Sequence, residues 1–234
     1  GQLKPVGSFD AVTVNGACVG VTLDLTMICA SQSGGVAVNI NNANRVHIRK
    51  LHIPDGGYNA LNVQKANTVV VDYLYAPALR GSYGVRWYGD GSNRSDILVL
   101  RDGIVSFATS GTARGIDWDG NCNSLTIEHF GVVGTPGVGA NRPKYGVHIR
   151  NTSGGSAPAI GRFLDLEIDY PDDDGIRIDT GADYDFVAPY INGSVIGSGI
   201  YVAGLSDDTV RVIGGKSIRS EEHTSELQSP MFIS

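Results

Sequence analysis

A four-residue phrase returns along the chain at a nearly regular distance: Gly35-Val36-Ala37-Val38, Ala60-Leu61-Asn62-Val63, Gly84-Val85-Arg86-Trp87, Gly115-Ile116-Asp117-Trp118, Gly146-Val147-His148-Ile149, Gly175-Ile176-Arg177-Ile178 and Gly199-Ile200-Tyr201-Val202. The starts lie 25, 24, 31, 31, 29 and 24 residues apart, a base unit lengthened by insertions in the middle of the chain. A period of this size marks a stack of like units, each able to bury its apolar face only against its neighbours. Within each phrase two apolar residues flank a variable one, the period-two pattern of a strand with one face in a core. The pattern predicts seven parallel strands in one sheet.

A second β-rich run follows most phrases: Val46-His47-Ile48, Val69-Val70-Val71, Ile97-Leu98-Val99-Leu100, Leu125-Thr126-Ile127, Leu164-Asp165-Leu166 and Val210-Arg211-Val212. Asn44, Asn67, Asn93 and Asn123 precede four of them. Asparagine tolerates the left-handed backbone region and bonds nearby peptide groups, so these residues are expected to turn the corners and stack as a ladder. The 32 glycines and the β-branched runs leave no window with a sustained helical period. The chain is therefore expected to be all-β. This grammar resembles the right-handed parallel β-helix of the pectate-lyase-like superfamily over residues 10 to 217, a single-chain solenoid that would span residues 1–218 and be truncated at both ends.

Residues 219–234 read differently. The stretch Arg219-Ser220-Glu221-Glu222-His223-Thr224-Ser225-Glu226-Leu227-Gln228-Ser229-Pro230 resembles the in-frame translation of a sequencing adapter, so it is expected to be a non-native tail and is set aside. It holds one arginine and three glutamates, and without it the net charge moves from −6 to −4. A mildly acidic chain with no basic stripe points away from nucleic acid. No run of apolar residues is long enough to predict a membrane span. The three cysteines, Cys18, Cys29 and Cys122, have neither metal spacing nor an even pairing, and read as small core residues.

If the flanking residues face inward, the variable ones face outward, and parallel stacking aligns them about 4.8 Å apart. One column then runs Ala37, Asn62, Arg86, Asp117, His148, Arg177, Tyr201. The next runs Asn39, Gln64, Tyr88, Asp119, Arg150, Asp179, Ala203. Charge and aromatic character converge on the middle coils, where the insertions Gly131 to Tyr145 and Asn151 to Gly161 are expected to wall the face. Arginines fork onto anionic groups, carboxylates accept hydroxyl protons and tyrosine rings face sugar rings. The candidate saccharide-binding residues are therefore Arg86, Tyr88, His148, Arg150, Arg177 and Tyr201. The same columns also describe a neutralising ladder that merely stabilises a solvated sheet.

Asp117, Asp119 and Asp179 are the candidate catalytic carboxylates. Asp119 and Asp179, two coils apart, would stand about 9 to 10 Å from each other, and Asp117 and Asp119 about 7 Å, near the separation of an inverting glycosidase pair. For a lyase, Arg177 would have to act as base, which needs a strongly lowered proton affinity. Glu128 and Glu167, with Asp165 and Asp169 nearby, are expected on neighbouring coils at about the 5 Å of a retaining pair. No cofactor is required. Asp172-Asp173-Asp174 is where a calcium ion would be sought, although calcium wants six to eight oxygens.

Within the resemblance, Asp173-Asp174-Gly175-Ile176 and Arg177-Ile178-Asp179 echo two motifs of polygalacturonase-like hydrolases, while a Gly-His-Gly motif is missing and an aspartate replaces the lysine of Arg-Ile-Lys. Phage tailspikes and capsule depolymerases share the pattern. The resemblance implies a polysaccharide partner, a homotrimer in a full-length protein, and an extracellular, cell-surface or virion location. Two functions follow: a hydrolase or lyase acting on an acidic or decorated polysaccharide, or a non-catalytic shaft or adhesin module.

Overall fold

The computed structural model describes residues 7–16, 18–109, 111–136, 141–181, 183–194, 196–203, 209–219, 224–226 and 231–233. The chain forms a right-handed parallel β-helix, a solenoid of about eight turns, with no helix among the described residues. One sheet runs through Val12–Asn15, Val36–Asn41, Asn59–Gln64, Tyr83–Gly89, Arg114–Gly120, Tyr145–Arg150, Ile176–Ile178 and Ile200–Val202, all parallel. Eight strands stand where seven phrases were expected, because Ala11-Val12-Thr13-Val14 is a further copy, opening on alanine as the phrase at Ala60 does. The first copies also shift by two residues. Asn39, not Ala37, stands in register with Asn62, and Asn41 stands with Gln64. From Asn62 onward the column continues through Arg86, Asp117, His148, Arg177 and Tyr201 as the spacing implied.

Two inward columns make this wall of the core: Val38, Leu61, Val85, Ile116, Val147 and Ile176, and beside them Ile40, Val63, Trp87, Trp118, Ile149 and Ile178, all buried. Burying each such side chain contributes roughly 1.5 to 3 kcal/mol. The other walls come from a second sheet, whose early strands are long, as in Thr68–Leu79 and Ser95–Phe107. Later coils break the strand in two at His129, Asp165 and Ala188, which share φ near +50° and bond from coil to coil at 2.8 to 3.0 Å. This corner accounts for one misplacement. Leu164-Asp165-Leu166 turns the corner, and the strand in line with Leu125-Thr126-Ile127 is Gly161-Arg162-Phe163.

Packing explains the small residues of the repeat. A methyl group on Gly115 would press into Val132 and lie 2.5 Å from the Gly146 carbonyl, and Gly84, Gly146 and Gly175 are confined in the same way. Gly161 clears room for the rings of Trp118 and Tyr184, which meet edge to face, while Trp118 also stacks on Trp87 at 5.3 Å. The asparagine ladder does not form. Asn44 and Asn67 are exposed, Asn93 closes a turn with Asp90, and the left-handed corner residues are Asn42 and Lys65. After the last turn, Thr224–Glu226 and Met231–Ile233 pair antiparallel with Lys216–Arg219 and Thr209–Ile213.

Candidate functional site

On the outer flank of the eight-stranded sheet, the central variable residues do not stand free in solvent. Asp117 is 2% exposed, Asp119 is fully buried and His148 is 6% exposed. Period two fixes which face a side chain takes, not what covers it. Arg150 covers Asp117 with a two-point fork, Nε to Oδ1 at 2.8 Å and Nη2 to Oδ2 at 2.9 Å, and its Nη2 also lies 3.1 Å from Asp119. Asp119 then accepts from the Thr152 backbone N–H at 2.8 Å and from the Thr152 hydroxyl at 2.6 Å. The insertion after Arg150 thus folds back over Arg114–Gly120, the strand of the preceding coil, and Gly155 packs closely on Gly91 of the coil before that.

The second half of the cluster turns on His148. Its Nδ1 accepts from Arg114 Nε at 2.9 Å, so its Nε2 carries the proton and donates to Asp179 at 2.7 Å. Burial holds the imidazole below its ordinary pKa, assisted by the Arg114 charge and opposed by Asp179 and Asp117. Arg177 donates to Asp179 at 2.9 Å and reaches Asp174 at 3.3 Å. Burial works against the charge on Arg150, but the hydrogen bonds and charges of Asp117, Asp119 and Asp179 outweigh it and raise its pKa. Arg177 is raised in the same sense, with burial opposed chiefly by Asp179. Arg150 and Arg177 therefore stay charged, which leaves Arg177 without support as a lyase base.

Two arginine and tyrosine pairs border the network. Arg86 lies over the Tyr88 ring at 4.5 Å, and Arg177 over the Tyr201 ring at 4.6 Å with the Tyr145 ring at 5.5 Å. Their side chains keep partial exposure, as does Asp179 at one third. All nine candidate residues therefore share one flank. Arg114 and Thr152 belong with them and escaped sequence reasoning, and Asp174, which the sequence offered for calcium, joins them through Arg177. Arg114 precedes its repeat glycine, in register with Tyr83 and Tyr145, so a third column starting one residue earlier would have shown it. Thr152 carried no signal, because an insertion has no register.

The second carboxylate group is arranged differently from expectation. Glu128 aligns with Leu164, whereas Glu167 aligns with Gly131 and Tyr190 beyond the left-handed corner, so the two glutamates lie on neighbouring coils but out of register and do not form a side-by-side pair. Glu167 and Asp169 instead border an open groove of about 430 Å³ with Tyr190 and Asn192. Burial, then the charge of Asp169, pushes the Glu167 carboxyl up. Asp174 is bonded to Ser198 N at 2.8 Å as well as to Arg177. Among the described residues no three His, Cys, Asp or Glu side chains converge as a metal ion would require, and no helix is long and apolar enough to cross a membrane. No family model, curated protein or solved structure matches the chain.

Proposed function

We propose that the flank bearing the two arginine and tyrosine pairs binds an extracellular polysaccharide, in the manner of the pectate-lyase-like β-helices that the coil grammar resembles. The observation that carries this reading is the pairing itself: Arg86 with Tyr88 and Arg177 with Tyr201 leave partly exposed rings and guanidinium edges along one line of a rigid sheet. Contact with a ring leaves the N–H donors of a guanidinium for other partners, and those of Arg177 already reach Asp179 and Asp174. Cleavage is a more demanding claim. A general acid must hold a proton and reach the leaving oxygen, yet both oxygens of Asp119 are bonded under Thr152 and Asp117 is forked by Arg150. Asp179 is the one of the three with access, so any hydrolysis on this flank would centre there. The reading carries with it an extracellular, cell-surface or virion location and a trimeric parent protein.

A second reading has its own support. Asp117, Asp119 and Asp179 are each matched by arginine, which is what a shaft needs to keep a charged sheet neutral. A glycan panel separates the two. Binding that falls in the Arg177→Ala and Tyr201→Ala variants, but not in Arg211→Ala on the other sheet, supports the saccharide flank. Absence of binding to every glycan assigns the flank to the shaft. Release of reducing ends by the parent chain and not by Asp179→Asn would add catalysis to binding.

A further inference from the structure

Arg86 stands apart from the other arginines of the flank. Arg114, Arg150 and Arg177 each donate a hydrogen bond at 2.8 to 2.9 Å. Arg86 approaches Asp117 and Asp119 only to 3.7 and 3.9 Å, and its buried Nε–H has no hydrogen-bond partner among the described residues. In register with it on the preceding coil is Asn62, which is 7% exposed and whose Oδ1 is likewise buried and unpartnered.

The two groups do not satisfy each other because each is held from the opposite side. Asn62 Nδ2 donates to Asn39 Oδ1 at 2.9 Å, and Asn39 in turn donates to Asp10 at 2.6 Å. Arg86 is drawn the other way, towards the two carboxylates and onto the Tyr88 ring. An unpaired donor and an unpaired acceptor thus occupy strands about 4.8 Å apart. Both carry a desolvation penalty until something pairs them.

The chemistry of that partner is restricted. It must accept from Nε–H and donate to Oδ1, which a hydroxyl does; a carboxylate or sulfate only accepts, and an ammonium only donates. We infer that Asn62 and Arg86 form a subsite that reads a hydroxyl of a neutral pyranose unit, bordered by the Tyr88 ring. The inference rests on the saccharide-binding reading and narrows it: the coils around Arg177 and Tyr201 suit an anionic unit, whereas this rung selects an uncharged one.

The test is calorimetric titration of the whole chain with neutral gluco-, manno- and galacto-hexasaccharides and with an oligogalacturonate as the uronate probe. Asn62→Leu removes the acceptor, and Arg86→Lys keeps the charge while replacing Nε–H by a methylene; thermal melts check that both variants are folded. The expected result is binding of at least one neutral hexasaccharide that each variant weakens about tenfold, the scale of one hydrogen bond left unmade in a buried site. Neutral binding unchanged within about twofold would overturn the subsite and leave the flank reading intact. Binding of the uronate probe alone, weakened equally by both variants, would overturn the hydroxyl selectivity. A complex whose coordinates show water, and no sugar hydroxyl, between Asn62 and Arg86 would also overturn it. If no saccharide binds the parent chain, both readings fall together.

Discussion

Replacing Asp117 by asparagine tests whether the buried network is a structural keystone. The substitution preserves volume and removes one negative charge. It leaves Arg150 without its fork and Arg86 and Arg114, each 3.7 Å away, facing a neutral amide. Stripping one partner from a buried ion pair costs about 3 to 5 kcal/mol. Arg150 retains 19% exposure of its side chain, so water recovers part of that, and about 3 kcal/mol is the working figure. For a chain of this size that corresponds to a fall in Tm of about 6 to 12 °C. The assay is urea or thermal unfolding followed by fluorescence, since the two tryptophans of the chain, Trp87 and Trp118, stack in the core directly beneath this flank. Asp117→Asn combined with Arg150→Met should regain about half the loss or more, because the charge left behind is what makes the single change expensive. A single variant within about 1 kcal/mol of the parent, or a double variant no better than the single, would refute the reasoning.

Three further outcomes follow from the same geometry. His148 is kept neutral, with its pKa in the fold below the unfolded value of about 6.5. The stability it carries is therefore complete above that pH and drains away as pH falls through the window beneath it; a Tm profile from pH 8 to 5 should drop more steeply for the parent than for His148→Gln, and coincident profiles would contradict this. Gly115→Ala should destabilise by about 1 to 3 kcal/mol through overpacking against Val132 and the Gly146 carbonyl, while Gly91→Ala, whose added methyl would meet nothing closer than 3.8 Å, should be near neutral in a denaturant titration. Burial pushes the Cys29 thiol up to about 11 and raises Cys122 as well. Half-buried Cys18 should thus react first with a thiol reagent, the other two only on unfolding; three fast equivalents from the native chain would count against the core packing described above.

Much of the fold was legible because a solenoid repeats its constraint. Each phrase states the same alternation, and parallel stacking turns equal spacing into vertical alignment, which is why Arg86, Asp117, His148, Arg177 and Tyr201 fell into one column as read. Errors arose where the repeat drifts. Val36-Ala37-Val38 offers two registers two residues apart, both apolar on the same face, and only pairing across the sheet selects Asn39 to stand beside Asn62. Leu164-Asp165-Leu166 imitates a strand, but the left-handed conformation of Asp165 makes it a corner.

The sequence by itself determined the architecture, the inward columns and the flank on which the charged residues gather, because those follow from period and polarity alone. Only the tertiary structure decided which of those charges meet solvent. Thr152 arrives from an insertion to close over Asp119, Arg150 crosses a coil to fork Asp117, and Arg86 is left beside Asn62 with its Nε–H unbonded. Those outcomes depend on how long side chains and loops lie across neighbouring coils, a matter of angles and distances that strand periodicity does not encode.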